Sequence, residues 1–420
     1  MSQDGGPGEP GRRARRVSTS RAAAVRRTGG RRGRRKATRP VRTVVAVIVS
    51  SLLALGVLTG VGVTVAYRHW NGNLDVEDVD AQLGPDRPEN AVKGQVNILV
   101  LGDDTRQGKR NKVDTASGGG SDTTILIHLS ADRTFAYGIS IPRDVIVDRP
   151  ACTKKDGTVV PAQPDALWNA AYTAGGQACT IKQFEKLTGV RADKYVVVKF
   201  SGFKDMVDAL GGVEVCIPER IVDPETKITL DAGTRRIEGD EALAYVRVRK
   251  GVTGGDGSDP QRIKRQQAFM ASMINGAFRA DMLARPDKLL SLVNATTRSL
   301  TTNFENVAQM ADLAGSLRSI GLDNISFVTT PWEPWPQDPG NRIQWTSSVA
   351  KLWSLVRRDQ PLTREFEDEA INAATNPDGT ASTSTSPSAS GSASGSASGS
   401  PGQDASSEAP TERPRSAGLC

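Results

Sequence analysis

The chain has 420 residues with 54 Lys/Arg against 47 Asp/Glu, a formal net charge of +7. Fourteen of the basic residues lie in residues 1–42 beside only Asp4 and Glu9, so the other 378 residues hold 40 basic against 45 acidic side chains, which argues against a uniformly basic nucleic-acid binder. Four Cys without a CxxC pair exclude a zinc ribbon, and with only His69 and His128 present a His-based triad or metal site would rest on His128 alone.

Residues 1–42 are Gly/Pro/Arg-rich and predict a disordered basic tail. Their one GxGxxG match, Gly6 to Gly11, holds two Pro and follows no strand, so it does not read as a nucleotide loop. Thr43 to Tyr67 is an apolar run without a charge, longer than the roughly 20 residues that cross a bilayer. It predicts one transmembrane helix over 43–67, although Thr64-Val65-Ala66 leaves cleavage open. The Arg-rich flank places the N-terminus in the cytoplasm and residues 68–420 outside. The protein is therefore expected in the cell membrane as a single-pass chain, with membrane lipid as a neighbour and no nucleic-acid partner.

Residues 68–94 are polar and acidic and read as an extracytoplasmic stalk. Residues 95–360 carry a globular pattern that suits one domain. Residues 361–420, Ser/Ala/Gly/Thr/Pro-rich from about Asn372, read as a flexible tail. Cys152 and Cys179 suit a bridge in an exported domain. Cys216, in an apolar stretch, is expected as a buried free thiol.

Three strands open the domain, at Val96–Leu101, Thr123–Leu129 and Thr134–Ser140, with Ala131-Asp132-Arg133 as a hairpin turn. His128 falls inside the second and reads as a strand residue. If the three form an antiparallel meander, Asp104, Arg106, Asp122 and Arg143 meet at one edge. Paired Asp oxygens suit Mg²⁺ or another divalent cation, which also takes phosphate oxygens. Arg forks match phosphate geometry and stay charged. The competing reading is a turn fixed by Asp104 and Arg106, with Arg143-Asp144 a solvated pair. Further on, Ala242 to Arg249 sets Arg247 and Arg249 at strand spacing, on one face. A Gly-rich loop follows, then a helix opened by Asp259 and Pro260. Arg262 and Arg265 would crowd its first turns, where an anion compensates them. The alternative is an ordinary amphipathic helix with a basic wet face. Trp332-Glu333-Pro334-Trp335-Pro336 reads as packing of a Pro-rich loop sooner than as a sugar platform.

These segments resemble the LytR-CpsA-Psr family. Asn97 to Arg106, Ser121-Asp122-Thr123, Ser140 to Asp144 and Trp168 to Tyr172 carry the likeness, followed by Gly202-Phe203, Asp208 to Val213, Ala242 to Arg249 and Asp259 to Gln267. The composition and the placing of Cys152 and Cys179 are similar to actinobacterial members. The resemblance implies a single α/β domain with a central mixed β-sheet flanked by helices and an apolar tunnel for a prenyl chain. It implies a phosphotransferase that moves a glycopolymer from a polyprenyl-pyrophosphate carrier onto peptidoglycan, through a phosphodiester to a muramyl hydroxyl. In that scheme Asp104 and Asp122 hold Mg²⁺ or another divalent cation. Arg106, Arg143, Arg247, Arg249, Arg262 and Arg265 grip the pyrophosphate, and Asp122 or Asp259 takes the acceptor's proton. Two alternatives remain: a pyrophosphatase on the same lipids, with water as acceptor, and a non-enzymatic cell-envelope regulator.

Overall fold

A computed structural model describes residues 40–104, 120–223, 227–249 and 259–375. The basic tail, Arg106, the Gly-rich loop and the Ser/Gly-rich tail lie outside the described residues. The chain divides into two compact units, residues 1–62 and 63–420. In the first, the described residues are helical and belong to α1, Pro40–Asn73, which runs on into the second. This helix is long and apolar enough to cross a membrane.

The second unit is built on a mixed sheet of eight strands among the described residues. In chain order they are β1 Asp75–Val76, β2 Val96–Asp103, β3 Ser121–Leu129, β4 Ala136–Ile141 and β5 Lys194–Lys199. Outside the large sheet, β6 Val213–Ile217 and β7 Gly233–Ile237 pair with each other. The sheet is completed by β8 Leu300–Thr302, β9 Ile325–Thr329 and β10 Ile371–Asn372. Its spatial order is β1-β8-β5-β2-β3-β4-β9-β10.

At the centre β2, β3 and β4 form the expected antiparallel meander, with Asp103 opposite Ser121 and Thr124 opposite Ile141. Period-two side chains sort the sheet's faces. Leu99, Leu101, Leu126, Tyr137 and Ile139 enter one core with α2, Ala170–Thr188, and α8, Val349–Arg357. Ile98, Leu129, Ala136 and Phe327 enter the other, with α5, Asp259–Phe278, and α7, Val307–Ile320. Gly138 lies under the Phe327 ring, where a Cβ would stand 2.5 Å from a ring carbon. A third core joins α3, Phe200–Leu210, α4, Gly239–Arg247, and the β6–β7 pair to α5. Gly202 of α3 crosses α6, Pro286–Ser299, so closely that a Cβ would meet Ser299 at 2.1 Å.

Four expectations change. Residues 74–83 are not a stalk: β1 joins the sheet, and Leu74, Val79 and Leu83 are buried. Residues 361–375 are not tail, since Leu362, Phe366 and Ile371 reach the cores and β10 pairs with β9. Their apolar spacing is too sparse to stand out beside the polar segment that follows. Residues 242–247 form a helix, not a strand. Asp240 and Glu241 occupy its first turn, and Ala242, Leu243 and Ala244 are good helix formers. Cys216 is disulfide-bonded, not a free thiol. Cys152 and Cys179 are bridged, and non-helical backbone at Gly175 and Gly176 clears the space: a Cβ on Gly175 would overlap the Cys179 sulfur.

Candidate active site at the central sheet edge

The antiparallel register carries the end of β2, the start of β3 and the segment after β4 to one edge of the sheet. Asp104 follows β2, and its Oδ1 accepts the Gly120 N–H at 2.7 Å. Asp122 is the second residue of β3 and accepts Arg143 Nη1 at 2.5 Å. Burial, then the neighbouring charge of Asp122, pushes the Asp104 pKa up to about 6. Burial also pushes Asp122 up, but Arg143 and Arg262 outweigh it and hold that carboxyl below its ordinary value. Two acids a short reach apart are thus driven in opposite directions, because the nearest guanidiniums face only one of them.

The start of α5 closes the other side. Arg262 Nη2 lies 2.5 Å from Asp259 Oδ1 and donates to the Asp122 carbonyl at 3.2 Å. Asp259 and Arg262 are 4% and 3% exposed, so the helix does not carry these charges on a wet face. Arg143 Nε is 3.6 Å from Asp259 Oδ1 and 3.7 Å from Asp144 Oδ1. Among the described residues, Arg143 Nε, Arg262 Nε and both Asp259 oxygens are buried without a well-angled hydrogen bond. Burial raises the Asp259 carboxyl against the pull of Arg262.

Arg249 follows α4, and its Nη1 meets Asp144 Oδ2 at 3.2 Å. Arg247 ends that helix, stacks over the Phe200 ring at 5.1 Å and draws on the charge of Asp104. The helical backbone therefore sends the two guanidiniums to different partners, where strand spacing placed them on one face. Arg265 is buried, and its Nη2 donates to the Val248 carbonyl, while Gln266 Nε2 donates to that of Val246 at 3.0 Å. These two side chains tie the end of α4 to α5. Arg106 lies outside the described residues.

The competing reading made Asp144 part of a solvated pair, but it is 8% exposed and shared by Arg143, Arg249 and, at 4.0 Å, Arg342. Nothing in the sequence around Arg342 marks it. It reaches Asp144 because Ile343 bridges Val145 and pairs within a hairpin, Trp332–Pro334 with Ile343–Trp345. Trp345 packs against Trp168 at 5.7 Å, whereas Trp332 is 39% exposed, so loop packing does not describe Trp332. Below this edge Trp168 Nε1 donates to Thr124 Oγ1 at 3.1 Å, and Gln267 Nε2 donates to Ser140 Oγ at 2.9 Å.

The chain is similar to known proteins. A model of the LytR_cpsA_psr family matches residues 66–355. The chain is similar to the cell wall biosynthesis protein LcpA of Corynebacterium glutamicum, 30% identical over 69% of this chain and 58% of that protein. It is also similar to the polyisoprenyl-teichoic acid–peptidoglycan teichoic acid transferase TagV of Bacillus subtilis, 28% identical over 66% of this chain and 68% of that one. The chain spans about three fifths of the length of the corynebacterial relatives. The crystal structure of B. subtilis TagV has the same fold, with a TM-score of 0.50 and 24% identity over 64% of this chain and 98% of that one.

Proposed function

The chain belongs to the LytR-CpsA-Psr family, and from that premise we propose that it is a membrane-anchored phosphotransferase. It moves a glycopolymer from a polyprenyl-pyrophosphate carrier onto peptidoglycan, with α1 as anchor, its N-terminus cytoplasmic and residues 68–420 outside. The observation that carries this reading is the convergence of Asp104 and Asp122 with Arg143 and Arg262 at one sheet edge. The teichoic acid transferase name of the TagV relative supports the substrate class.

The pyrophosphate is gripped by Arg143, Arg247, Arg249 and Arg262, with Arg106 as a further contributor. Their forks offer paired donors to phosphate oxygens and oppose charge on the transferring phosphoryl group. The orphaned Arg143 Nε and Arg262 Nε are donors that such an anion would satisfy. The acceptor hydroxyl attacks the phosphorus next to the glycopolymer. The bond from that phosphorus to the bridging oxygen breaks and prenyl phosphate leaves. The hydroxyl proton passes to Asp259, whose carboxyl is raised by burial, or to Asp122. Asp144 holds Arg143 and Arg249 in place. Arg265 and Gln266 position the end of α4 that carries Arg247. The apolar residues of the third core, among them Phe203, Val246, Phe269 and Leu292, are where the prenyl chain would lie.

Asp104 and Asp122 would hold Mg²⁺ or another divalent cation. The residues fit it: two hard carboxylates face one another, and their repulsion helps lift Asp104 toward 6, a cost that a cation removes. Among the described residues no third His, Cys, Asp or Glu joins them. The remaining coordination would come from water and substrate phosphate. When bound, the ion supplies positive charge to the phosphate oxygens.

Transfer of a labelled lipid-linked glycan to peptidoglycan by the full chain in lipid vesicles tests the reading. The expected result is label in the wall fraction, dependent on added Mg²⁺. Release of phosphate without transfer would make the protein a pyrophosphatase. Full function in cells with Asp104→Ala would make it a non-enzymatic regulator.

A further inference from the structure

We infer that α6 is an interfacial helix whose exposed leucines, Leu289 and Leu290, insert into the outer leaflet of the membrane beside the anchor. The inference rests on the anchor reading above. Its starting point is where large apolar side chains remain exposed. Outside α1, the described residues of this kind are Val76, Val159, Val222, Leu289, Leu290 and Trp332. Half of them, Val76, Leu289 and Leu290, sit on β1 and α6, which meet the last turns of α1.

Two tie points set the later part of α6 and the start of β8 beside the end of α1, and every residue involved belongs to the second unit. At the first, Asn294 of α6 accepts Asn73 Nδ2 at 3.3 Å and lies 3.3 Å from His69 Nε2. At the second, β1 and β8 pair in parallel, Asp75 with Thr301 and Val76 with Thr302. The chain order at both points is the same: α1 leads into β1 as α6 leads into β8. Moving backward along both segments from the parallel pair leads toward the end of the apolar run at Tyr67. Leu290 and Leu289 precede Asn294 by four and five residues, about 6–8 Å at the helical rise of roughly 1.5 Å per residue. The same distance back from the His69–Asn73 turn reaches about Ala66 and Tyr67. The two leucines therefore stand level with the last apolar residues of the run.

Chemistry at that level suits a lipid surface. Tyr67 and Trp70 lie where aromatic side chains border a bilayer. Leu290 is 50% exposed and Leu289 37%, on a helix whose Leu292 packs into the third core. Arg285, 58% exposed, and Lys288 lie one turn or less before Leu289, with stems long enough to carry their charges to headgroups. A helix face in contact only with solvent would not need an apolar pair there. The sheet edge holding Asp104 lies at the same end: Lys199, opposite Asp103 in the register, bridges Asp75 at 3.1 Å. An inserted α6 would thus hold the pyrophosphate site close to the headgroups from which its substrate arrives.

The test uses the full chain in vesicles of phosphatidylcholine and phosphatidylglycerol, with a nitrobenzoxadiazole probe on a single introduced cysteine. Leu290→Cys reports on α6, Val57→Cys on the anchor and Asp132→Cys on the turn at the opposite end of β3. Lipids brominated at different acyl depths act as quenchers. The expected result is strong quenching at Leu290→Cys by shallow bromines, at Val57→Cys by deep ones, and none at Asp132→Cys. Quenching at Leu290→Cys no greater than at Asp132→Cys, with Val57→Cys still deep, would overturn the inference and leave the anchor standing. A solvent-exposed Val57→Cys probe would overturn both. A Leu290→Cys signal that vanishes on dilution of protein in lipid would assign the face to a second copy of this chain, and would also overturn it.

Discussion

The two ends of β3 both bury charge, and they do so in opposite ways. At one end His128 is fully buried, with Nδ1 2.7 Å from Asn97 Oδ1 and Nε2 3.0 Å from Asp359 Oδ1. Asp359 also accepts the Ala131 N–H at 3.0 Å, and Tyr137 stacks on the imidazole at 4.8 Å. Asp359 answers both the imidazole and the Ala131 amide, and the cluster fastens the turn after α8 to the sheet. At the other end Asp104 and Asp122 oppose one another, and Asp259, Arg143 and Arg262 keep buried polar atoms without hydrogen bonds. A cluster closed on itself contributes stability. A cluster left open holds binding capacity for something that is not part of the chain.

The sharpest way to break that contrast is to remove charge from the open end. Asp104→Ala or Arg143→Ala is expected to lower glycan transfer by about 10²–10³-fold, the usual scale for losing a group that stabilises transition-state charge. For Asp104→Ala the thermal midpoint should change little, whereas Arg143→Ala also removes the partner of Asp122, Asp144 and Asp259 and should lower it. A midpoint falling by more than about 5 °C with transfer preserved would make that end structural.

The closed end predicts a stability effect with the sign set by His128. Burial pushes its pKa down to about 4, against the pull of Asp359, from an ordinary value near 6.5. The folded chain thus holds this imidazole neutral, while the unfolded chain protonates it below about pH 6.5. Its contribution is complete above that value and falls as pH drops toward 4, by roughly 3 kcal/mol in all. Urea unfolding of the full chain in micelles at pH 7 and pH 4.5 should show the loss, and His128→Gln should reduce it. Equal losses in both proteins would separate the acid sensitivity from His128.

Asp359→Ala strips acceptors from His128 and the Ala131 amide and should cost about 1–3 kcal/mol, with transfer per folded molecule unchanged. A selective loss of transfer would couple the two ends and dissolve the distinction between them.

The smallest effect concerns the cation. With Asp104 titrating near 6, a divalent ion competes with its proton, so affinity should rise about tenfold from pH 5 to pH 7. Mn²⁺ binding followed by electron paramagnetic resonance measures this directly. A flat profile would remove Asp104 from the ligand set.

Short, largely apolar runs at 96–101, 123–129 and 134–140, with a three-residue turn between the last two, were enough to predict the meander. Local pattern alone therefore placed Asp104, Asp122 and Arg143 at one edge. The apolar run of α1 and the Asp259-Pro260 helix start were legible for the same reason, since each depends on residues close in sequence. What the sequence did not disclose depends on distance along the chain. The buried role of Asp144 needs Arg249 and Arg342, more than a hundred residues away. Strand spacing at 242–249 lost to a helix that buries Ala242 and Tyr245 in the third core. Residues 74–83 and 361–375 read as linker and tail until strands at opposite borders of the sheet gave their few apolar side chains a surface to cover. By itself the sequence determined which segments can be strands, helices or membrane spans, because backbone preference and hydrophobic period are local. Only the tertiary structure decided which charges share a buried space, because desolvation and Coulomb forces act between neighbours in space, whatever their separation along the chain.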